Sequence, residues 1–165
     1  MRQAMYAFAT FAALATAASV SPLARAAQAD DQADRASLIG SWMRPGAGTE
    51  GWVFDSVAGG LHVRQIQGKI AVADFQCNTD GQNCEVKLSG HKATVSMYYN
   101  GQALVQLETR GSEIVKRRFS VEPSRNTMKV TVTPMTGRAV QPEELEFERG
   151  LPDGQVAGQS AQAKR

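Results

Sequence analysis

Hydrophobic and polar residues alternate along much of the chain with a period of two. In Lys92–Tyr98 an alanine, a valine and a methionine alternate with threonine, serine and tyrosine, and the same alternation recurs in Asn126–Thr133 and Glu144–Arg149. This pattern is typical of antiparallel strands that bury one face. Further strand candidates are Leu38–Arg44, Gly51–Ser56, Gly60–Gln67, Lys69–Gln76, Asn83–Leu88, Ala103–Thr109 and Ser112–Glu122.

Short connections between these segments determine the order in which the strands pair. Most of the joints carry glycine, as in Asp80-Gly81 and Asn100-Gly101, and no segment of useful length has a helical period. Tight turns make sequential strands neighbours in the sheet. We therefore predict one all-β domain over Leu38–Arg149, an antiparallel up-and-down barrel of about eight to ten strands or a closely related sandwich.

The N-terminus has the pattern of a targeting segment. It opens with Met1-Arg2, continues with an apolar, alanine-rich run to Val20, and offers the small-x-small site Ala24-Arg25-Ala26. A membrane anchor is the alternative, but an anchor needs about 20 strongly apolar residues and this run is mostly alanine and threonine. We predict a cleaved signal peptide over residues 1–26, no membrane insertion after cleavage, and export to the periplasm or the medium.

Composition sets the ends of the domain and excludes one class of partner. We predict a flexible N-terminal segment over residues 27–37, with a frayed helical turn in residues 27–35 as the alternative, and a disordered tail with almost no apolar side chains over residues 150–165. The chain has 18 basic and 16 acidic residues, and loss of Arg2 and Arg25 with the leader leaves 16 of each. A mature chain with no net charge has no bulk attraction for nucleic acid, so we expect no such partner.

The two cysteines, Cys77 and Cys84, flank an Asp-Gly turn. In an exported chain two cysteines most simply form one disulfide, which here closes a hairpin and fixes its register. A pair of metal ligands is the alternative, but two sulfurs rarely complete a zinc shell and no histidine pair has the usual spacing. We predict the disulfide, no metal and no cofactor.

The first strand carries Gly-x-Trp at Gly40 and Trp42, and the last strand ends in Arg149. These marks resemble those of lipocalins and their calycin relatives. The resemblance implies that Gly40 lets the chain turn across the barrel floor, and that Trp42 plugs the closed end beneath Arg149. The stretch Asp74–Val121 also resembles small exported bacterial proteins, and that likeness implies no activity.

Arg117 is the most informative charged residue. It lies on the strand face of Val115 and Phe119, where a guanidinium inside a barrel needs a carboxylate. The acid group of an amphiphilic ligand would meet this need, and so would Glu108 on the neighbouring strand. The remaining alternative is that Arg117 faces solvent. Our candidate ligand-binding residues are Arg117, Phe119, Tyr98 and Phe75.

Catalysis has little support in the sequence. His62 falls on the polar face of its strand, His91 lies in a turn, and no nucleophile-elbow pattern surrounds a serine. Asp55, Asp74 and Asp80 are not spaced as a calcium-binding loop. We predict a binding protein for a small apolar or amphiphilic molecule, not an enzyme. The alternative is a filled barrel that acts as a protein-interaction or envelope-associated module.

Overall fold

The structure, a computed structural model, describes residues 35–46, 50–124, 126–137 and 140–150. The predicted signal peptide, residues 27–34 of the predicted flexible segment and residues 151–165 of the predicted tail lie outside the described residues. Among the residues described, no helix is long and apolar enough to cross a membrane.

Ten strands run through the described part of the chain. They are β1 (Gly40–Met43), β2 (Glu50–Val57), β3 (Gly60–Gln67), β4 (Ile70–Asn78), β5 (Asp80–Leu88), β6 (His91–Asn100), β7 (Ala103–Arg110), β8 (Glu113–Val121), β9 (Thr127–Pro134) and β10 (Glu143–Gly150).

Each strand pairs antiparallel with the next, and β1 pairs with β10 as well as with β2, which closes the sheet into a barrel. The predicted all-β up-and-down barrel is confirmed. Each predicted strand has its counterpart, because tight turns leave a meander little choice of partner. Closure also removes the exposed strand edges that an open sheet would present.

Alternate residues of every strand point into the barrel and form one core. The largest side chains that are fully buried belong to Trp42, Phe54, Phe119, Phe147, Leu88, Met97, Leu104, Met128 and Gln106. All but one of these are apolar or nearly so. The exception, the amide of Gln106, is a feature of the candidate site.

The junction of β4 and β5 is the most weakly paired in the barrel. The two strands share one register pair, Ala73 with Leu88, and the backbone N–H of Ser89 donates to the Val72 carbonyl at 2.9 Å. The predicted disulfide is confirmed, with an S–S length of 2.01 Å and Cα atoms 5.9 Å apart. It joins the strands four residues along from the register pair. The crosslink therefore continues the pairing where backbone hydrogen bonds are sparse.

The last residues of the predicted flexible segment form a helical turn. It comprises Arg35, Ala36 and Ser37, and the N–H groups of Leu38 and Ile39 donate to the Arg35 and Ala36 carbonyls. Polar composition suggested disorder, yet the turn is held by the barrel end beside it. Leu38 is buried there, and this turn supplies backbone carbonyls to the closed end.

Candidate functional site

A tryptophan and an arginine close the end of the barrel next to the helical turn. The fully buried indole of Trp42 donates its Nε1–H to the Leu38 carbonyl at 2.8 Å. The guanidinium of Arg149 lies 4.3 Å from the centre of a Trp42 ring. It also donates to the carbonyls of Ile39, at 3.1 Å, and Ser37, at 2.6 Å. Both polar groups are thus satisfied by backbone, and the closed end reads as structural.

The absence of a side chain at Gly40 makes room for this arrangement. The φ of Gly40 is +124°, a conformation that other residues rarely adopt, and a Cβ there would lie 3.0 Å from Nη1 of Arg149. Desolvation lowers the pKa of Arg149, as expected for a cation packed against an aromatic ring and backbone. The structure therefore brings Gly40, Trp42 and Arg149 together at one end.

Three aromatic rings fill the interior beyond this plug. Trp52 and Phe54 stack with centroids 6.1 Å apart, and Phe119 meets both edge-on, at 5.1 and 5.2 Å. Edge-to-face contacts of this kind are favourable beyond the area they bury. Phe119 and Phe75, two candidate ligand-binding residues, both belong to the core cluster. Any contact they make with a ligand would come from inside the barrel.

Arg117 points into the barrel from the middle of β8. It follows the inward alternation of Phe119, and its guanidinium carbon lies 5.9 Å from a ring centre of Trp52. Its Nη1 donates to Oε2 of Glu108 on β7 at 2.6 Å, so the structure shows the protein's own carboxylate as its partner. The side chains of Arg117 and Glu108 are 15% and 6% exposed, which makes the pair an interior one.

Glu108 holds two cations, because its other oxygen pairs with Nε of Arg110. Arg110 lies at the end of β7 and its side chain is 43% exposed, so water screens most of its charge. Gln106 lies two residues before Glu108 on the same face of β7. It is opposite Arg117 in register, and it is 1% exposed. Its Oε1 accepts no hydrogen bond within the described part of the protein. A buried acceptor left without a donor costs about 1–3 kcal/mol.

Three inward positions near this polar group are less completely covered. Val115, Val132 and Leu145 face the interior by register, but all three are only half-buried. Val132 is opposite Arg117, Val115 lies two residues nearer the start of β8 and so farther from the Trp42 plug, and Leu145 is opposite Val130, the register partner of Phe119. The interior therefore has a packed aromatic part, a buried polar middle and a partly accessible apolar wall. We call the group of Gln106, Glu108 and Arg117 the mid-barrel polar site.

Tyr98 does not belong to this interior. It pairs with Val105 on the outer face, while its neighbours Met97 and Tyr99 point inward. The prediction placed it among the lining residues without following the alternation of its own strand, so Tyr99 takes its place in the interior. Burial raises the pKa of Tyr99, and the nearby Arg35, 4.9 Å from its ring centre, opposes that rise.

The histidines and aspartates lie away from the interior. On the outer face of β2–β4, Nε2 of His62 is 2.7 Å from Oδ1 of Asp74, and its Nδ1 is 3.8 Å from Asp55. Arg64 pairs with Asp55 at 3.1 Å. Both carboxylates thus have cationic or hydrogen-bonding partners on the same sheet face. The arrangement is that of a surface ion-pair network.

The remaining candidates for acid–base or metal chemistry lie in turns. Oδ1 of Asp80 accepts the Gln82 N–H at 2.9 Å, the contact of an Asx turn. His91 is exposed at the start of β6. The hydroxyl of Ser89 donates to the Val72 carbonyl at 3.3 Å. These groups perform local structural roles.

Comparisons with known proteins support the fold and give no sequence family. No protein-family description matches the chain, and no curated protein matches it. Among solved structures, a secretary abundant heat soluble (SAHS) protein from Ramazzottius varieornatus superposes with a TM-score of 0.56 at 9% identity, covering 69% of this chain and 96% of that one.

Two fatty-acid-binding proteins are similar to a comparable extent. The Schistosoma mansoni protein, in complex with arachidonic acid, has a TM-score of 0.54 at 15% identity and covers 70% of this chain and 98% of its own. Fatty-acid-binding protein 1 of Echinococcus granulosus has a TM-score of 0.54 at 9% identity and covers 68% and 97%. At such low identity these likenesses show the fold alone. The chain shares the β-barrel fold of these proteins.

Proposed function

We propose that this protein is an exported binding protein that takes a small apolar or amphiphilic molecule into its barrel. The proposal rests on the contrast within the interior between the close-packed aromatic rings and the mid-barrel polar site with its half-buried apolar wall. Small-molecule sites combine apolar lining with a few placed polar groups in this way. The fatty-acid-binding proteins of the same fold support the proposal by analogy.

The chain of the ligand would lie along Val115, Val132 and Leu145, with its polar end toward Gln106 and Arg117. This orientation places apolar groups against apolar side chains and avoids burying a head group without a partner. Trp52 and Phe119 form the floor on which the ligand would end. The ligand therefore needs one polar end and a hydrocarbon body short enough for the part of the barrel beyond the aromatic rings.

Native mass spectrometry of protein purified from its source tests this function directly. We expect a co-purifying small molecule whose mass adduct disappears on denaturation. A matched test uses the neutral dye Nile red, whose fluorescence should rise on binding to the native barrel. A Val132→Trp variant, designed to fill the wall, should bind less dye while retaining the β-sheet circular dichroism spectrum. Absence of both the adduct and dye binding would contradict the proposal.

The second candidate is a protein-interaction or envelope-associated module. It is favoured by three exposed apolar side chains, Ile70, Met135 and Val140, all at the barrel end opposite the Trp42 plug. A contiguous apolar patch is typical of a docking surface, and these three side chains share one end of the barrel. A triple substitution to serine separates the candidates, because it should remove a protein contact and leave Nile red binding unchanged.

A further inference from the structure

Gln106 combines full burial with an unsatisfied acceptor. The residue is 1% exposed, it points inward between Met97 and Arg117 in register, and its Oε1 accepts no hydrogen bond from the described residues. Buried polar groups in native proteins nearly always have a partner. Two other buried atoms of the described residues also lack a partner, Oγ of Ser41 and Nε of Arg64, but both residues alternate with inward neighbours and face away from the interior. Of these three atoms, Oε1 of Gln106 is the one inside the barrel, and we infer that its partner is brought by another molecule.

The neighbouring charges narrow the chemistry of that molecule. Arg117 donates to Glu108 at 2.6 Å, and Glu108 also holds Arg110. Arg110 is 43% exposed and screened by water, so inside the barrel Arg117 and Glu108 form a pair without net charge. A ligand carboxylate would put a second negative charge beside Glu108 and would leave Oε1 of Gln106 without a donor.

On the proposed binding function, we propose that the mid-barrel polar site selects a neutral head group that donates a hydrogen bond, a hydroxyl or an amide N–H, and that Gln106 is the residue that reads it. The donor satisfies Oε1, and the head group adds no charge next to the Arg117–Glu108 pair. An amphiphilic alcohol or amide fits this site better than the corresponding acid or ether.

Displacement of Nile red by three ligands with the same chain tests the proposal: n-decanol, decanoate and decyl methyl ether. We expect n-decanol to bind about tenfold more tightly than the ether, because the alcohol forms one more buried hydrogen bond than the ether does. Decanoate at neutral pH should bind no more tightly than n-decanol. The ether controls for hydrophobic burial, since it keeps the chain and the oxygen but has no donor.

Gln106→Met assigns the effect to the amide, because methionine keeps the length of the side chain and removes its polar atoms. The variant should still bind the ether, and the alcohol-to-ether ratio should fall from about tenfold to about one. Thr109→Val is the matched control. It removes a hydrogen-bonding group from the outer face of the same strand and should keep the native ratio.

The outcomes separate this proposal from the function on which it rests. If all three ligands displace the dye equally, or if decanoate binds best, the head-group assignment is wrong and the binding function stands. An unchanged ratio in Gln106→Met overturns the role of Gln106. If neither dye nor ligand binds, the function and the assignment fall together.

Discussion

The barrel contains two tryptophan–arginine pairs, and they differ in what satisfies the guanidinium. At the closed end Arg149 lies 4.3 Å from a Trp42 ring centre and donates to two backbone carbonyls. In the middle Arg117 lies 5.9 Å from a Trp52 ring centre and donates to the Glu108 side chain. Backbone carbonyls are fixed by the fold, whereas side-chain partners can rearrange around a ligand. The first pair therefore closes the barrel, and the second belongs to the site that we propose.

The polar groups that point into the barrel show the same difference. At the plug the indole N–H of Trp42 has the Leu38 carbonyl as its acceptor. Beside Arg117, the Oε1 of Gln106 is buried without a donor among the described residues. An apolar side chain at this position would avoid the cost of an unpaired buried acceptor. The retained amide is therefore the feature on which our proposal for the mid-barrel polar site rests.

The largest expected effect comes from removing the plug. Trp42→Ala should lower the free energy of unfolding by about 3–5 kcal/mol, because the ring is fully buried and its loss leaves a cavity. Urea denaturation followed by circular dichroism measures this loss. The matched Trp42→Phe variant keeps a ring but loses the hydrogen bond to Leu38. Its free energy of unfolding should lie between those of the native protein and Trp42→Ala. If the plug only closes the barrel and the ligand site lies at Arg117, folded Trp42→Phe protein should bind Nile red as the native protein does.

Breaking the interior ion pair should have the next largest effect. Glu108→Gln leaves Arg117 without a carboxylate in a poorly solvated position. Loss of one partner of a fully buried pair costs about 3–5 kcal/mol, and we expect about 3 because Arg117 retains some exposure. Glu108→Leu combined with Arg117→Met should cost less than Glu108→Gln alone. A double-mutant cycle of urea midpoints measures the coupling, and additive single effects would contradict an interior pair.

The sequence was sufficient to predict the fold and the closed end. Period-two alternation, glycine-bearing turns and the two cysteines carry local information, and a meander converts local pairing into global topology. The meeting of Gly40, Trp42 and Arg149 was implied by the family resemblance, and the pairing of β1 with β10 brings these residues together. The Cys77–Cys84 pair follows from its turn.

The mid-barrel polar site was only partly predictable. The inward position of Arg117 and the alternative partner Glu108 could be deduced from one strand and its neighbour. Gln106 was missed, because Leu104, Val105 and Leu107 surround it and blur the alternation of β7. Its inward direction could have been found from the register with Arg117. That it lacks a partner depends on side-chain packing around the barrel, which no local pattern reports.

Removal of the disulfide should have an intermediate to small effect. Cys77→Ser with Cys84→Ser should lower the free energy of unfolding by about 2–3 kcal/mol, a modest loss because the crosslinked loop is short. The change also tests the β4–β5 junction, which has one register pair. Amide hydrogen exchange should accelerate in β4 and β5 and remain slow in β7 and β8. Uniform acceleration across all strands would contradict a local role.

The smallest effect, and the sharpest test of the comparison, is arginine to lysine at both pairs. Arg149 uses its planar guanidinium to reach the Ser37 and Ile39 carbonyls while it covers the indole of Trp42. A lysine keeps the charge but loses this geometry, so Arg149→Lys should cost about 1 kcal/mol. Arg117→Lys should cost less than half of this, because an ammonium can still meet the Glu108 carboxylate.

Melting temperatures measure both losses, since about 1 kcal/mol corresponds to roughly 4–8 °C in a domain of this size. Arg118→Lys, on the exposed face of β8, is the control and should shift the melting temperature least. Equal losses at 149 and 117 would mean that the two guanidiniums do the same work, and the distinction between a plug and a site would have to be abandoned.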